Sequence, residues 1–383
     1  MRAYLDHNAT TPLRPQARTA MLAAMEAVGN PSSVHAEGRA ARSAVETARA
    51  QIAAGIGTSA KNLVFTSGAT EAANLILTPF LQRSRDDAPL DLLLAGAGEH
   101  AAVLQGHRFQ RDKVESVPLT PDGTLSLEAL SGLLQCNKNR RILLALQAAN
   151  NETGAVQPTR AAAELVHAAG GLMICDATQA VGRIETTFAA TGADALFFSS
   201  HKLGGPAGAG ALAFSDESLH IKEALLRGGG QEGGRRAGTE NLPAILGFAA
   251  AFAVARETMA GEAERLGRLR GLLEEKVKES WPESVFLSAA APRLPNTSAF
   301  QTTGGKAHTL LMALDMEGIA LSTGSACSSG KVRRSHVLAA MGLEETEAVR
   351  ASLGWSTTQE HVELFGIAFA RVAKRIRARR TAA

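Results

Sequence analysis

A chain of 383 residues, 45% hydrophobic and 20% charged, is long enough to bury one large core or two ordinary ones and has the composition of a globular protein. With 4% aromatic residues and a formal net charge of +3, it offers neither a base-stacking platform nor a broad basic face, so no nucleic-acid partner is expected. No run of about 18 apolar residues occurs and the first residues carry no signal-peptide core, so no membrane association and a cytoplasmic location are expected.

Short apolar runs alternate with helical patterns from about residue 61 to 215. The predicted strands are NLVFTS (62–67), LLLAG (92–96), KVESVPL (113–119), RILLALQ (141–147), LMICDA (172–177), ALFFSS (195–200) and GALAFS (210–215). Helical stretches are predicted between them at Glu71–Gln82, Leu125–Gln135 and Thr159–Ala169. This alternation implies an α/β fold with a largely parallel sheet covered by helices on both faces. Ligands of such sheets lie beyond the carboxyl ends of the strands, and polar residues cluster there at Ser67–Thr70, Glu99–His100, Asn150–Glu152, Asp176–Gln179 and Ser199–Lys202. A long helical region follows over Leu242–Ser280, with Pro243 in its first turn. Shorter elements come after it and read as a smaller α+β domain: strands near 284–288, 297–301 and 349–353, and helices near 306–317, 335–341 and 359–378. In the last helix Leu364, Ala368, Val372 and Ile376 form one apolar stripe. The six basic residues between Arg371 and Arg380 read as a solvated helix end, where cations favour the helix dipole.

The three cysteines, Cys136, Cys175 and Cys327, have no CxxC spacing, which speaks against a disulfide framework or a zinc site of cysteines alone. Cys175 ends an apolar run and reads as an inert core thiol, whereas Cys327 sits among Gly and Ser in STGSACSSGK (322–331). That stretch is not a phosphate-binding loop: five residues separate its glycines instead of four, and Val332 stands where Ser or Thr is needed. The block FFSSHKLGGPAGAGAL (197–212) is more informative. A lone lysine is most often a solvated cation, but Lys202 directly follows a buried strand and precedes a glycine-rich turn, which places it in a cleft. There a desolvated lysine can form a Schiff base. Asp176 ends the run GLMICDATQ, where an aspartate could simply cap a helix. A Schiff-base lysine paired with an aspartate facing a pyridinium nitrogen is, however, the arrangement that pyridoxal phosphate demands. FTSGATEAAN (65–74) adds a strand, a tight turn and a helix start, an anion site to which Thr70 contributes a hydroxyl.

Taken with YLDHNATTP, NPSSVHAEGR, EHAAVL, NNETGAVQP, DATQAVG, GGGQEGGRRAGTEN, STGSACSSG and RASLG, these blocks make the chain resemble the NifS/IscS-like cysteine desulfurases of the class V aminotransferase group over nearly its whole length. The resemblance implies pyridoxal-phosphate fold type I: a large domain (15–259) with a mostly parallel seven-stranded sheet, and a small domain (1–14 and 260–383) carrying the cysteine loop. Lys202 would hold the cofactor and later move protons. Asp176 would face the ring nitrogen, Gln179 would bond the ring hydroxyl, and His100 would stack on the ring and help proton transfer. Ala69, Thr70, Ser199 and His201 would hold the phosphate, with Thr239 reaching in from the second subunit of a homodimer. Asn151 and Arg350 would bind the carboxylate of L-cysteine. Cys327 would take the sulfur as a persulfide for an acceptor protein such as an iron–sulfur scaffold. No resident metal is implied, Cys327 being the residue to meet a transferred iron–sulfur cluster. Gly233 stands where relatives carry arginine, and His7 falls at a variable place with no role. A selenocysteine lyase or an aminotransferase would use the same Lys202 scaffold with other substrates, and a non-catalytic scaffold would leave Lys202 idle.

Overall fold

The computed structural model describes residues 2–84, 86–324 and 334–381. Its central sheet has seven strands: β1 (Leu63–Thr66), β2 (Leu92–Gly96), β3 (Val114–Val117), β4 (Ile142–Gln147), β5 (Leu172–Asp176), β6 (Ala195–Ser199) and β7 (Gly210–Phe214). They lie in the order β1-β7-β6-β5-β4-β2-β3, with only β7 antiparallel to its neighbours. Successive side chains on a strand face opposite ways, and both sets are buried here. Leu144, Met173, Leu196 and Phe198 enter one core with Ile52 and Phe248, while Leu143, Ile174, Phe197 and Leu212 enter another with Ala72 and Leu75. Polar side chains are therefore displaced to the strand ends.

The helices that matter for the site are α1 (Ala36–Gly55), α2 (Ala69–Ile76), α3 (Leu242–Glu257), α4 (Met259–Ser280) and α5 (Gln359–Thr381). Two predicted helices change. The stretch predicted as Glu71–Gln82 ends at Ile76, because Pro79 disfavours helical backbone just before it. Leu81–Gln82 instead pairs with His220–Ile221. The stretch predicted as Leu242–Ser280 breaks at Thr258 into α3 and α4, which bend by 73°. The bend lets Phe248 and Phe252 of α3 pack on the sheet while Leu266, Leu273 and Val277 of α4 enter a separate core. No single helix among the described residues is long and apolar enough to cross a membrane.

That separate core contains Trp281, Phe300, Leu310, Phe365 and Phe369, and also Ala3 and Leu5 from the start of the chain. A four-stranded antiparallel sheet flanks it: β8 (Val285–Phe286), β9 (Thr297–Gln301), β10 (Ser322–Thr323) and β11 (Val349–Ser352), in the order β8-β9-β11-β10. Ala3–Tyr4 pairs in parallel with Ile319–Ala320. On α5, Val362, Ala368 and Val372 are buried, whereas Arg371 and Arg375 reach Glu317 at 3.5 and 2.9 Å. The basic end thus sits in solvent beside an acidic partner.

Candidate active site

A cavity of about 320 Å³ opens at the carboxyl ends of β1, β4, β5 and β6. Ten of the residues singled out from the sequence line it: Ala69, Thr70, His100, Asn151, Asp176, Gln179, Ser199, His201, Lys202 and Arg350. Thr239 does not line it and is exposed. Cys327, with Lys331 and Arg333 nearby in sequence, lies outside the described residues.

Lys202 ends a single helical turn, Ser200–Lys202, that directly follows β6. Its Nζ donates to the carbonyls of Asn8 and Ala9 at 2.6 and 2.7 Å. Asp176 is the last residue of β5, and its Oδ1 accepts the Thr178 N–H at 2.9 Å. Burial pushes the Asp176 carboxyl up, while the bonds from Thr178 and then the charges of His100 and Lys202 pull it down. His100 accepts the Ala102 N–H on Nδ1 at 3.1 Å, and burial lowers its pKa. The ring is therefore neutral at pH 7 and carries its proton on Nε2. His201 is held to about 4 by burial and then by the charges of Lys202 and Arg183, so it too acts as a neutral hydrogen-bonding group.

Another part of the wall is the turn Ser67–Gly68 before α2. Gly68, with φ 157° and ψ 178°, occupies backbone space that essentially only glycine reaches. Having no side chain to cap α2, it leaves the first-turn amides of Ala69 and Thr70 for a ligand. The turn fits against β7 only because Gly210 is also a glycine: a Cβ there would lie 2.6 Å from the Gly68 Cα. Gly210→Ala is therefore expected to displace this turn, to cost about 1–3 kcal/mol of stability and to weaken pyridoxal-phosphate binding by about tenfold or more. Thermal melts and fluorescence titration of the apo-protein check both.

This turn is bolted to the segment bearing Thr239. Glu232 accepts Arg49 of α1 through both oxygens at 2.6 and 2.8 Å, and its Oε2 also accepts the Phe65 N–H of edge strand β1 at 2.9 Å. Arg236 reaches Glu71 of α2 at 2.9 Å, and Glu71 accepts the Ser67 N–H at 2.8 Å.

Arg183, beside the cavity, and Thr178, in its wall, are given no role from the sequence. The Arg350 guanidinium, predicted to clamp a carboxylate, is held by Asp6 at 2.7 Å and by the Asn151 carbonyl at 2.9 Å, while its buried Nε has no partner among the described residues. Arg183 bonds the Gln179 Oε1 at 2.6 Å and the Asn8 Oδ1 at 2.9 Å; burial, then the charge of Arg350, lowers its pKa to about 9. With Oε1 taken by Arg183 and one N–H given to the Asn8 carbonyl at 3.1 Å, Gln179 has one amide N–H left to offer a ligand. Thr178 Oγ1, buried in the cavity wall, lies beside the Asp176 carboxyl and has no other partner among the described residues. His7, given no role from sequence, is buried, pushed down to about 3 chiefly by burial, and packs against Gly354 outside the cavity.

These groups fit pyridoxal phosphate: a lysine and an aspartate share the cavity with uncapped helix amides and the remaining amide N–H of Gln179. A family model described as Aminotransferase class-V matches residues 3–365. The chain belongs to the class-V aminotransferase family. Within that pyridoxal-phosphate-dependent family it is similar to named cysteine desulfurases. One, from Frankia sp. (strain EuIK1), is 40% identical over 391 residues, covering 98% of this chain and 92% of the relative. Another, cysteine desulfurase IscS 1 of Archaeoglobus fulgidus, is 37% identical over 367 residues, covering 94% of each. Among solved structures, the NifS-like protein from Rickettsia africae ESF-5 superposes with a TM-score of 0.86 at 31% identity, covering 98% of this chain and 100% of that one. The seven-stranded sheet and its flanking helices are accordingly those of pyridoxal-phosphate fold type I.

Proposed function

We propose that this class-V aminotransferase family member is a cysteine desulfurase: it converts L-cysteine to L-alanine and leaves the sulfur on Cys327 as a persulfide. The observation that carries the reading is the convergence of Lys202, Asp176 and His100 on one cavity that the uncapped start of α2 also lines. Residues 15–259 form the cofactor domain, and 1–14 with 260–383 form the smaller domain, a division supported by the separate core that unites Ala3 and Leu5 with α4 and α5. The enzyme works in the cytoplasm as a homodimer, with Thr239 serving the partner's site, and it passes sulfur to an acceptor protein such as an iron–sulfur scaffold. The exposed position of Thr239, away from its own cavity, supports that sharing.

Bound pyridoxal phosphate supplies an electron sink conjugated with the substrate amine, so that the Cα proton can leave. Lys202 holds the cofactor and then carries that proton. Asp176 would keep a proton at the ring nitrogen, and Gln179 would offer its remaining N–H to the ring hydroxyl. Thr70, Ser199 and the neutral His201, with the amides of α2, bind the phosphate. Arg350 and Asn151 would hold the substrate carboxylate, and neutral His100 would stack on the bound cofactor with Nε2 as donor. The Cys327 thiolate attacks the substrate sulfur, so an S–S bond forms as the C–S bond breaks. The electron pair of that bond goes to the substrate Cβ, which takes up a proton before alanine leaves.

Turnover of L-cysteine by the purified holoenzyme with a thiol reductant is expected to yield alanine and sulfide in equal amounts. Alanine formation that requires an added 2-oxo acid would mark an aminotransferase. Selenocysteine turnover about a hundredfold faster would mark a selenocysteine lyase, which the shared scaffold equally allows.

A further inference from the structure

We propose that Glu152 is a positioning residue for sulfur transfer, its carboxylate tying together the two ends of the segment that carries Cys327. The proposal rests on the desulfurase reading and deepens it. One end is Gly324, directly after β10; the other is Ser335, the N-cap of the helix His336–Ala340. Ser335 Oγ accepts the Leu338 N–H at 3.1 Å, so its own proton is directed to Glu152 Oε2, 2.5 Å away. At the other end, Gly324 packs so closely on the same oxygen that a methyl group there would overlap it, and would come within 2.8 Å of the Glu152 Cδ. One buried carboxylate oxygen therefore touches both ends.

The turn that carries Glu152 is itself pinned. Asn150 Oδ1 accepts the N–H groups of Glu152 and Thr153 at 2.8 and 3.0 Å, and Asn150 Nδ2 donates to the Gly98 carbonyl at 3.0 Å. The preceding residue, Asn151, lines the cavity, and its carbonyl accepts Arg350 Nη1. A single turn thus presents one residue to the substrate and the next to the ends of the cysteine segment. Burial raises the Glu152 carboxyl, opposed by the Ser335 hydroxyl and by the charges of His336 and Arg350. Cys327 is three residues beyond Gly324 in sequence, and three residues of extended chain span only about 10 Å. Fixing both ends to the turn that bears Asn151 keeps the thiol at a high effective concentration near the substrate sulfur, whereas a free end would dilute it. Glu152 itself does not line the cavity.

The test compares holoenzymes of the native chain, Glu152→Ala, Glu152→Gln, Gly324→Ala and the double variant Gly324→Ala/Glu152→Ala. Two measurements are made: the visible spectrum on adding L-cysteine, and the single-turnover rate at which labelled sulfur reaches Cys327. Glu152→Ala and Gly324→Ala should each slow labelling by about tenfold to a hundredfold while the cysteine-induced spectral change keeps its native amplitude and rate. Glu152→Gln retains an oxygen for Ser335 and should stay within about threefold of native. The double variant should be no slower than Glu152→Ala alone, because removing the carboxylate makes room for the methyl group. Labelling by Glu152→Ala at the native rate, multiplied losses in the double variant, or a loss that follows the spectral change would overturn the proposal alone. A native chain that never labels Cys327 would overturn the desulfurase reading and this proposal with it.

Discussion

Lys202→Ala is expected to slow L-cysteine turnover by at least about a thousandfold, because one side chain both holds the cofactor covalently and moves the Cα proton. The protein should still fold. Removing the amine leaves the Asn8 and Ala9 carbonyls without this donor, a local cost of about 1–3 kcal/mol that the separate cores can absorb. Cofactor should still bind through the start of α2, Ser199 and His201, but more weakly, so that gel filtration strips it from the variant and not from the native enzyme. The absorbance band of the lysine-bound cofactor should vanish. Added small primary amines should restore part of the proton transfer, which a merely structural lysine would not permit. A variant turning over within about tenfold of native would remove Lys202 from the mechanism.

Cys327→Ser should leave that absorbance band and the L-cysteine-induced spectral change intact while lowering sulfide release by about a hundredfold or more. Serine is a far weaker nucleophile near neutral pH, and its oxygen cannot carry the sulfur onward. Neither of the other cysteines can substitute. Cys175 is wholly buried in β5, with burial pushing its thiol up, and Cys136 is exposed at the end of a helix; neither lines the cavity. Native sulfide release by the serine variant would show that sulfur leaves without an enzyme nucleophile. Full transamination activity would favour the aminotransferase alternative.

Much of the site was legible because the parallel sheet has apolar side chains on both faces, so a polar residue in those segments can stand only at a strand end. Asp176, Ser199 and Lys202 are located by that rule alone. His100, His201 and Arg350 needed the surrounding motif, since each taken singly reads as an ordinary buried or surface group. The backbone partners of Lys202 could not be found this way, because the carbonyls of Asn8 and Ala9 leave no trace in side-chain pattern. The tie between Glu152 and Ser335 joins residues 183 positions apart, beyond the reach of any local periodicity. Helix limits failed where a local stop overruled apolar spacing, at Pro79, and where one apolar run served two cores, at Thr258.

The stretch from Ala3 to Arg14 has a consequence for how the enzyme is made. It pairs with Ile319–Ala320, supplies Leu5 to the separate core, gives Lys202 its two carbonyls, and ends with Arg14 N–H on the Gly204 carbonyl at 2.8 Å. Its strand partner lies near the far end of the chain. During synthesis the central sheet can close while this stretch still waits, because contacts so distant in sequence form last and slowly. Lys202 would then be built early and framed late, so a nascent or truncated chain can be well folded around its sheet and still hold its cofactor poorly.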